Sequence, residues 1–175
     1  MNTERGKFIV FEGNDGAGKT TIIPIVAEYL REHGFNVLET KEPGGIKETQ
    51  PIRSLIFDDE RMREDGMGQL LLFVADRRVH LKLQVIPALN SGTVVVSDRF
   101  SDSTFVYQSE RGVELKTIFD LDKMARSGLE GQFSEIKPDL VILLDVDPRV
   151  GMIRKETGDR KDENYFDKDK IGRQA

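Results

Sequence analysis

The sequence predicts an α/β fold in three layers, a parallel β-sheet with helices on both faces. Two observations predict it. Strand-like and helix-like segments alternate along the chain, the pattern of repeated β-α-β crossovers. The strand-like segments also include a β-branched run, Val94-Val95-Val96, typical of a central parallel strand buried on both faces.

Taken in order, residues 8–11 (Phe8-Ile9-Val10-Phe11) form a short apolar run ending in glycines and read as a buried strand. Residues 20–33 read as a helix that Gly34 stops, with Pro24 near its start, where a proline costs least. Residues 35–39 read as a second strand and 51–57 as a short helix. Residues 68–89 carry the clearest helical pattern, with Leu72, Ala75, Val79 and Leu83 at helical spacing. Residues 93–97 form the β-branched strand, 115–127 a further helix, and 140–144 another buried strand. A helix starts near 150–155, and the stretch from Glu156 onward is charged and poor in apolar residues.

The length of 175 residues suits one domain, 1–175, with one sizeable core. A net charge of −5 argues against a nucleic-acid partner, which selects for a basic patch. The chain has no cysteine, which excludes disulfides, zinc–thiolate sites and thiol catalysis. With two histidines, His33 and His80, a histidine metal cluster is not expected. No apolar stretch approaches the roughly 20 residues that span a bilayer. The polar residues 1–7 and the short run after them do not make a signal peptide, so a cytoplasmic protein without a membrane partner is expected.

Gly13-Asn14-Asp15-Gly16-Ala17-Gly18-Lys19-Thr20 fits G-x-x-x-x-G-K-[ST] at every fixed position, between an expected strand and an expected helix. Glycines let backbone N–H groups approach phosphate oxygens, and the helix N-terminus adds partial positive charge. Lys19 has the reach for β- and γ-phosphates, and the Thr20 hydroxyl can ligate Mg²⁺. The motif points to ATP or GTP binding at the carboxyl edge of the sheet, where ligands of such folds sit. It does not say where the γ-phosphate goes. Arg99 follows the central strand directly and can grip a phosphate as a bidentate fork, with Arg53 as a second candidate. Asp98 can orient Arg99 or a Mg²⁺-bound water, or Asp98-Arg99 is a structural ion pair. Phe73 and Arg77 are four apart and share a helix face. Periodicity by itself makes Phe73 a core residue and Arg77 a surface charge. By composition Glu42-Pro43-Gly44-Gly45 is a turn or plain connector, and 154–160 a solvated charge run.

Four further segments, in order, resemble the thymidylate kinase family. They are Lys41-Glu42-Pro43-Gly44-Gly45 with Arg53-Ser54-Leu55, Leu71-Leu72-Phe73-Val74-Ala75-Asp76-Arg77, Asp98-Arg99-Phe100 through Ser103-Thr104 and Tyr107-Gln108, and Pro138-Asp139-Leu140 through Leu144-Asp145-Val146. With the opening segment from Phe8 to Thr21, the resemblance extends to about Phe166. It implies a P-loop NTPase fold and ATP-dependent phosphorylation of dTMP to dTDP with Mg²⁺, by direct in-line transfer. It implies that Gly13 to Thr21 cradle ATP. Phe73 then stacks on thymine, and Arg77 hydrogen-bonds its carbonyl. Glu42, Pro43, Arg53 and Arg99 hold the phosphate side of dTMP, and Thr104, Tyr107 and Gln108 contact base and sugar. Asp15, with Thr20 and Asp98, helps place Mg²⁺. Gly16 in the loop matches the branch that supplies its catalytic arginine from a lid, here about 151–165, through Arg154 or Arg160. The family is generally homodimeric through helices near 71–83, and its members continue past a point equivalent to Ala175, so the C-terminal helix is expected to be incomplete in this chain. A P-loop kinase for another nucleotide or deoxynucleoside, and a nucleotide-binding protein that does not catalyse, remain as alternatives.

Overall fold

The computed structural model describes residues 4–62, 64–129 and 134–157. Four strands, β1 (Phe8–Gly13), β2 (Val37–Lys41), β3 (Val94–Asp98) and β4 (Leu140–Leu144), form one sheet in the order β2-β3-β1-β4. All neighbours run parallel. Phe11 of β1 and Lys41 of β2 both lie opposite Asp98 of β3, so three strands end at one edge. The chain leaves β1 for β2, passing over the place β3 will fill, and later crosses β1 to reach β4. The crevice outside the carboxyl ends of β1 and β3 is therefore where a ligand site belongs.

Strand side chains alternate between the two faces. Phe8, Val10 and Val95 point to one side and pack with Leu81, Val85, Ile86, Leu89 and Phe100. Phe11, Val94 and Val96 point to the other and pack with Ile23 of helix α1 (Lys19–Glu32). The rest of the chain supplies α2 (Gln50–Phe57), α3 (Gly66–His80), α4 (Ile86–Asn90), α5 (Ser101–Glu110), α6 (Leu115–Arg126) and α7 (Pro148–Thr157). A single π-helical turn, Leu81–Val85, joins α3 to α4. Asp65 caps α3, its carboxylate accepting from Gly68 N at 2.7 Å. A third cluster, Leu70, Val113 and Ile118, ties α3 to α6 and the turn before it. No helix of the described residues is long and apolar enough to cross a membrane.

Several expectations change. β2 begins at Val37 because Gly34 and Phe35 still close α1: Phe35 N donates to Leu30 O. Pro24 falls in the second turn of α1, where it leaves the Thr20 carbonyl without its helical donor. The stripe of Leu72, Ala75, Val79 and Leu83 is not the buried face of α3: Ala75 and Leu83 are exposed, Leu72 and Val79 half-buried, and the helix buries Gln69, Leu70, Asp76, Arg77 and His80 instead. β4 has the expected bounds but not the expected burial. It is an edge among the described residues, with Leu143 66% exposed. Helix α5 carries no apolar stripe to announce it, because its inward residues are Ser101, Thr104 and Gln108.

Candidate active site

The phosphate loop follows β1 and opens α1. Gly18 precedes the helix at φ 101°, a left-handed conformation that a side chain disfavours. Lys19 is buried, and its Nζ donates to Gly13 O at 2.7 Å and Asn14 O at 3.1 Å, arching over the loop. Burial and the nearby Arg99 guanidinium push its pKa down. Thr20 is exposed one residue further on, at the mouth of the helix.

Arg99 adopts φ 74°, the single positive φ among non-glycine residues described. Its backbone N is held by Phe11 O at 2.9 Å and its carbonyl by Ser97 Oγ at 2.9 Å. Its guanidinium donates to Ser103 Oγ at 2.9 Å and pairs with Asp15 of the phosphate loop. Burial works against its charge, but Tyr107, Asp15, Asp98 and Glu12 outweigh that and hold its pKa above the usual arginine range. Asp98 is pushed up by burial, with Lys19 and Arg99 opposing. Its Oδ1 is buried and has no hydrogen-bond partner. An orphaned carboxylate oxygen near Lys19 and Asp15, with the Thr20 hydroxyl at the loop, is a fitting all-oxygen set for Mg²⁺.

The cleft beside the loop is open to solvent and holds about 530 Å³ of empty space, its mouth included. Eight of the nine residues expected to bind dTMP line it: Glu42, Pro43, Arg53 and Phe73, with Arg77, Arg99, Thr104 and Tyr107. Gln108 does not; it is fully buried with both side-chain polar atoms unpartnered. Phe57 joins the cleft from α2, its ring edge-on to Phe73 at 6.4 Å between centroids, with the Arg53 guanidinium 4.7 Å above it. Sequence reading missed Phe57, although Arg53 and Phe57 share a face of the short helix at a spacing of four. Asp15 and Arg99 line the same cleft, so the phosphate loop and the aromatic end open into one space.

Arg77 is not at the surface; it is 1% exposed. Nε donates to Glu42 Oε2 at 2.8 Å, one terminal nitrogen to Asp122 Oδ1 at 2.6 Å, and the other to Thr104 Oγ1 at 3.0 Å. Its guanidinium also lies 4.9 Å from the Phe100 ring centroid. Paired on two edges, Arg77 keeps further N–H groups for a ligand. Asp122 also accepts from Ser101 Oγ at 2.9 Å and Arg126 Nε at 2.7 Å. Behind Glu42, His80 Nδ1 approaches Oε1 at 2.9 Å. Asp76 takes the Gly44 N–H at 2.8 Å and thereby holds the 42–45 loop. Burial, then the Glu42 charge, pushes Asp76 up to about 6.

Glu12, at the carboxyl end of β1, stands in for a missing cap on α5. Its carboxylate accepts from Phe100 N at 2.9 Å and Ser103 Oγ at 2.6 Å. A carboxylate inside an otherwise apolar strand was the available signal. Asp122 had none, since an acid on an amphipathic helix reads as surface.

Helix α7 begins against the phosphate loop. A Cβ on Gly16 would lie 2.0 Å from Gly151 O, and one on Gly151 would lie 2.5 Å from Asp15 O. Arg154 follows one turn later and is exposed; Arg160 lies outside the described residues.

Comparison with known proteins gives one family. The family profile described as Thymidylate kinase matches residues 11–175. The thymidylate kinase of Geobacillus sp. strain WCH70 is 39% identical over 168 residues, covering 95% of this chain and 77% of that one. That of Caldicellulosiruptor saccharolyticus is 43% identical over 159 residues, covering 90% and 73%. The crystal structure of the Ehrlichia chaffeensis thymidylate kinase superposes with a TM-score of 0.73 at 35% identity, covering 86% of this chain and 82% of that one. A phosphate loop and an arginine-gripped aromatic cleft on this sheet, matched along nearly its whole length by these relatives, make the chain a member of the thymidylate kinase family.

Proposed function

We infer that this protein transfers the γ-phosphoryl of ATP to dTMP, forming dTDP by direct in-line displacement. The observation that carries the reading is the shared cleft: Asp15 of the phosphate loop and Arg99 line the same space as Phe73, Phe57 and Arg77. One ligand phosphate can meet Arg99 while its base meets the aromatic end. The acceptor's phosphate oxygen is already a nucleophile, so no side chain need act as a strong base. What the chain must do is hold two polyanions in line, screen their repulsion and exclude water. Lys19 exchanges the carbonyls of Gly13 and Asn14 for ATP phosphate oxygens, and Arg99 and Arg53 take the acceptor's phosphate. Phe73 stacks on the pyrimidine, and the donors of Arg77 left over from Glu42, Asp122 and Thr104 suit a carbonyl acceptor. Thr20, Asp15 and Asp98 would hold Mg²⁺, which supplies charge neutralisation on the transferring group. An arginine of the lid, Arg154 or Arg160, adds to that charge.

The deciding measurement is phosphoryl transfer from ATP with Mg²⁺ to dTMP, dUMP, dCMP, dGMP, AMP and UMP in parallel. Preference for dTMP is expected. Turnover of another acceptor would keep the kinase and remove the thymine assignment. ATP binding without turnover would favour a non-catalytic nucleotide-binding protein.

The protein acts as a homodimer in this reading. Helix α3 turns Met67 and Leu71 outward, with Leu83 beyond it, while its charged residues point inward. An outward apolar stripe over a buried charged face suits a second copy of the same helix. Sedimentation should give a dimer for the native chain and a monomer for Leu71→Glu.

A further inference from the structure

Arg77 stands in a line of alternating charge that runs behind the base end of the cleft. Along it lie His80, Glu42, Arg77, Asp122, Arg126 and Glu135, each within 2.9 Å of the next. Glu42 and Arg77 line the cleft; the other four do not. Each carboxylate that grips Arg77 is itself gripped from behind, Asp122 by Arg126 and Ser101, Glu42 by His80. A planar guanidinium bound on one edge can still pivot, and one bound on two edges cannot. The two anchors differ in stiffness. Asp122 sits inside helix α6, whereas Glu42 sits in the loop after β2 and needs its own support.

His80 supplies that support. It is fully buried, and its Nδ1 faces a carboxylate oxygen, so that nitrogen carries a proton. Nε2 meets Thr40 Oγ1 at 2.7 Å and Gln84 Oε1 at 3.2 Å, and the Thr40 hydroxyl reaches Gln84 Oε1 at 3.0 Å. With the Thr40 proton on Gln84, Nε2 donates as well and the ring is an imidazolium. Burial opposes that charge, but Glu42 and Asp76 outweigh it and raise the pKa of His80. The line then holds three cations and three anions.

We propose that His80 is a positioning residue for base recognition: it clamps the Glu42 carboxylate, which fixes the Arg77 guanidinium toward the pyrimidine. This rests on the reading of Arg77 as the donor that meets the base.

The test uses His80→Asn, His80→Gln and Arg77→Gln in steady-state kinetics with dTMP and ATP varied separately. Asn presents its amide N–H₂ where Nδ1 was and keeps a donor for Glu42. Gln reaches toward Thr40 and leaves Glu42 Oε1 without one, with Oε2 still on Arg77. His80→Gln should raise KM for dTMP about tenfold with KM for ATP unchanged, and His80→Asn should rescue most of that loss. A ring that only fills space would make the two variants alike, which overturns the proposal, as does a change in both KM values together. If Arg77→Gln leaves KM for dTMP unchanged, the base reading itself fails. If Arg77→Gln raises it and the His80 pair behave alike, only the positioning role fails. Should the variants not fold, the wild-type protein answers by ¹⁵N-histidine NMR, since the chain has two histidines and His33 is exposed. Nδ1 of the buried ring should be protonated, and its resonances should move with dTMP but not with a nonhydrolysable ATP analogue. An unprotonated Nδ1, or a ring indifferent to dTMP, overturns it.

Discussion

Arg99 holds a backbone conformation that its own side chain disfavours. At φ 74° a Cβ is strained, and the carbonyl of Phe11, the hydroxyls of Ser97 and Ser103 and the Asp15 pair hold it there. Arg99→Gly and Arg99→Ala both remove the guanidinium, and both should lose about 100-fold in kcat/KM for dTMP. They should part in stability: the glycine variant should exceed the alanine variant by about 1 kcal/mol in denaturant unfolding. Equal midpoints would mean that the strain is not there. Lys19→Met should cost about 1000-fold in single-turnover transfer while leaving dTMP binding intact by calorimetry. At this scale much of the site was legible, because a phosphate loop and an arginine after a central strand follow from spacing. The surroundings of Arg77 were not. Nothing in the order Asp76-Arg77-Arg78 says which arginine turns inward, since Glu42 and Asp122, 35 and 45 residues away, decide it. Gln108 reads as a ligand contact, and it is buried behind the residues that line the cleft.

Among the elements, α7 and the phosphate loop meet through two glycines. Gly16→Ala and Gly151→Ala each put a methyl group where a backbone oxygen already sits, 2.0 and 2.5 Å away. Either should push α7 off the loop and cost kcat about 100-fold, the scale of an ångström-sized misplacement. Thermal unfolding should fall less for Gly151, whose φ is not left-handed, than for Gly16 at φ 75°. Unchanged kcat in both would show that α7 need not stay seated for transfer. Element positions were mostly legible because glycines and β-branched runs punctuate the chain: the strand expected at 140–144 has those bounds, and the helix expected at 115–127 ends one residue earlier, at Arg126. Burial was not. The apolar stripe of α3 faces out and its charges face in, and α5 presents hydroxyls and an amide to the interior. Both helices wall the cleft, and behind its lining they bury polar and charged side chains where periodicity assumes an apolar face.

For the molecule as a whole, buried ionisable groups tie stability to pH. Asp76 titrates at about 6 in the folded chain against 3.8 ordinarily. Between these values the native state holds more protons than the unfolded one, so stability falls as pH rises through the window. Below it both states are protonated; above it the full cost is in place. His80, raised above 6.5, acts in the same direction: its contribution is complete below 6.5 and is lost as pH climbs through its folded value. Asp76→Asn keeps an acceptor for Gly44 N and removes the charge. It should gain on the wild type by about 1.4 kcal/mol as pH rises from 5 to 8 in thermal unfolding, and parallel curves would contradict this. The line from His80 to Glu135 carries a separate consequence for how the protein can change over generations. A lone reversal or loss of charge at 42, 77, 122 or 126 strands a neighbour in a place water does not reach. Random libraries selected for growth should therefore return these positions as linked changes, Glu42 with His80 and Asp122 with Arg126, and seldom one at a time.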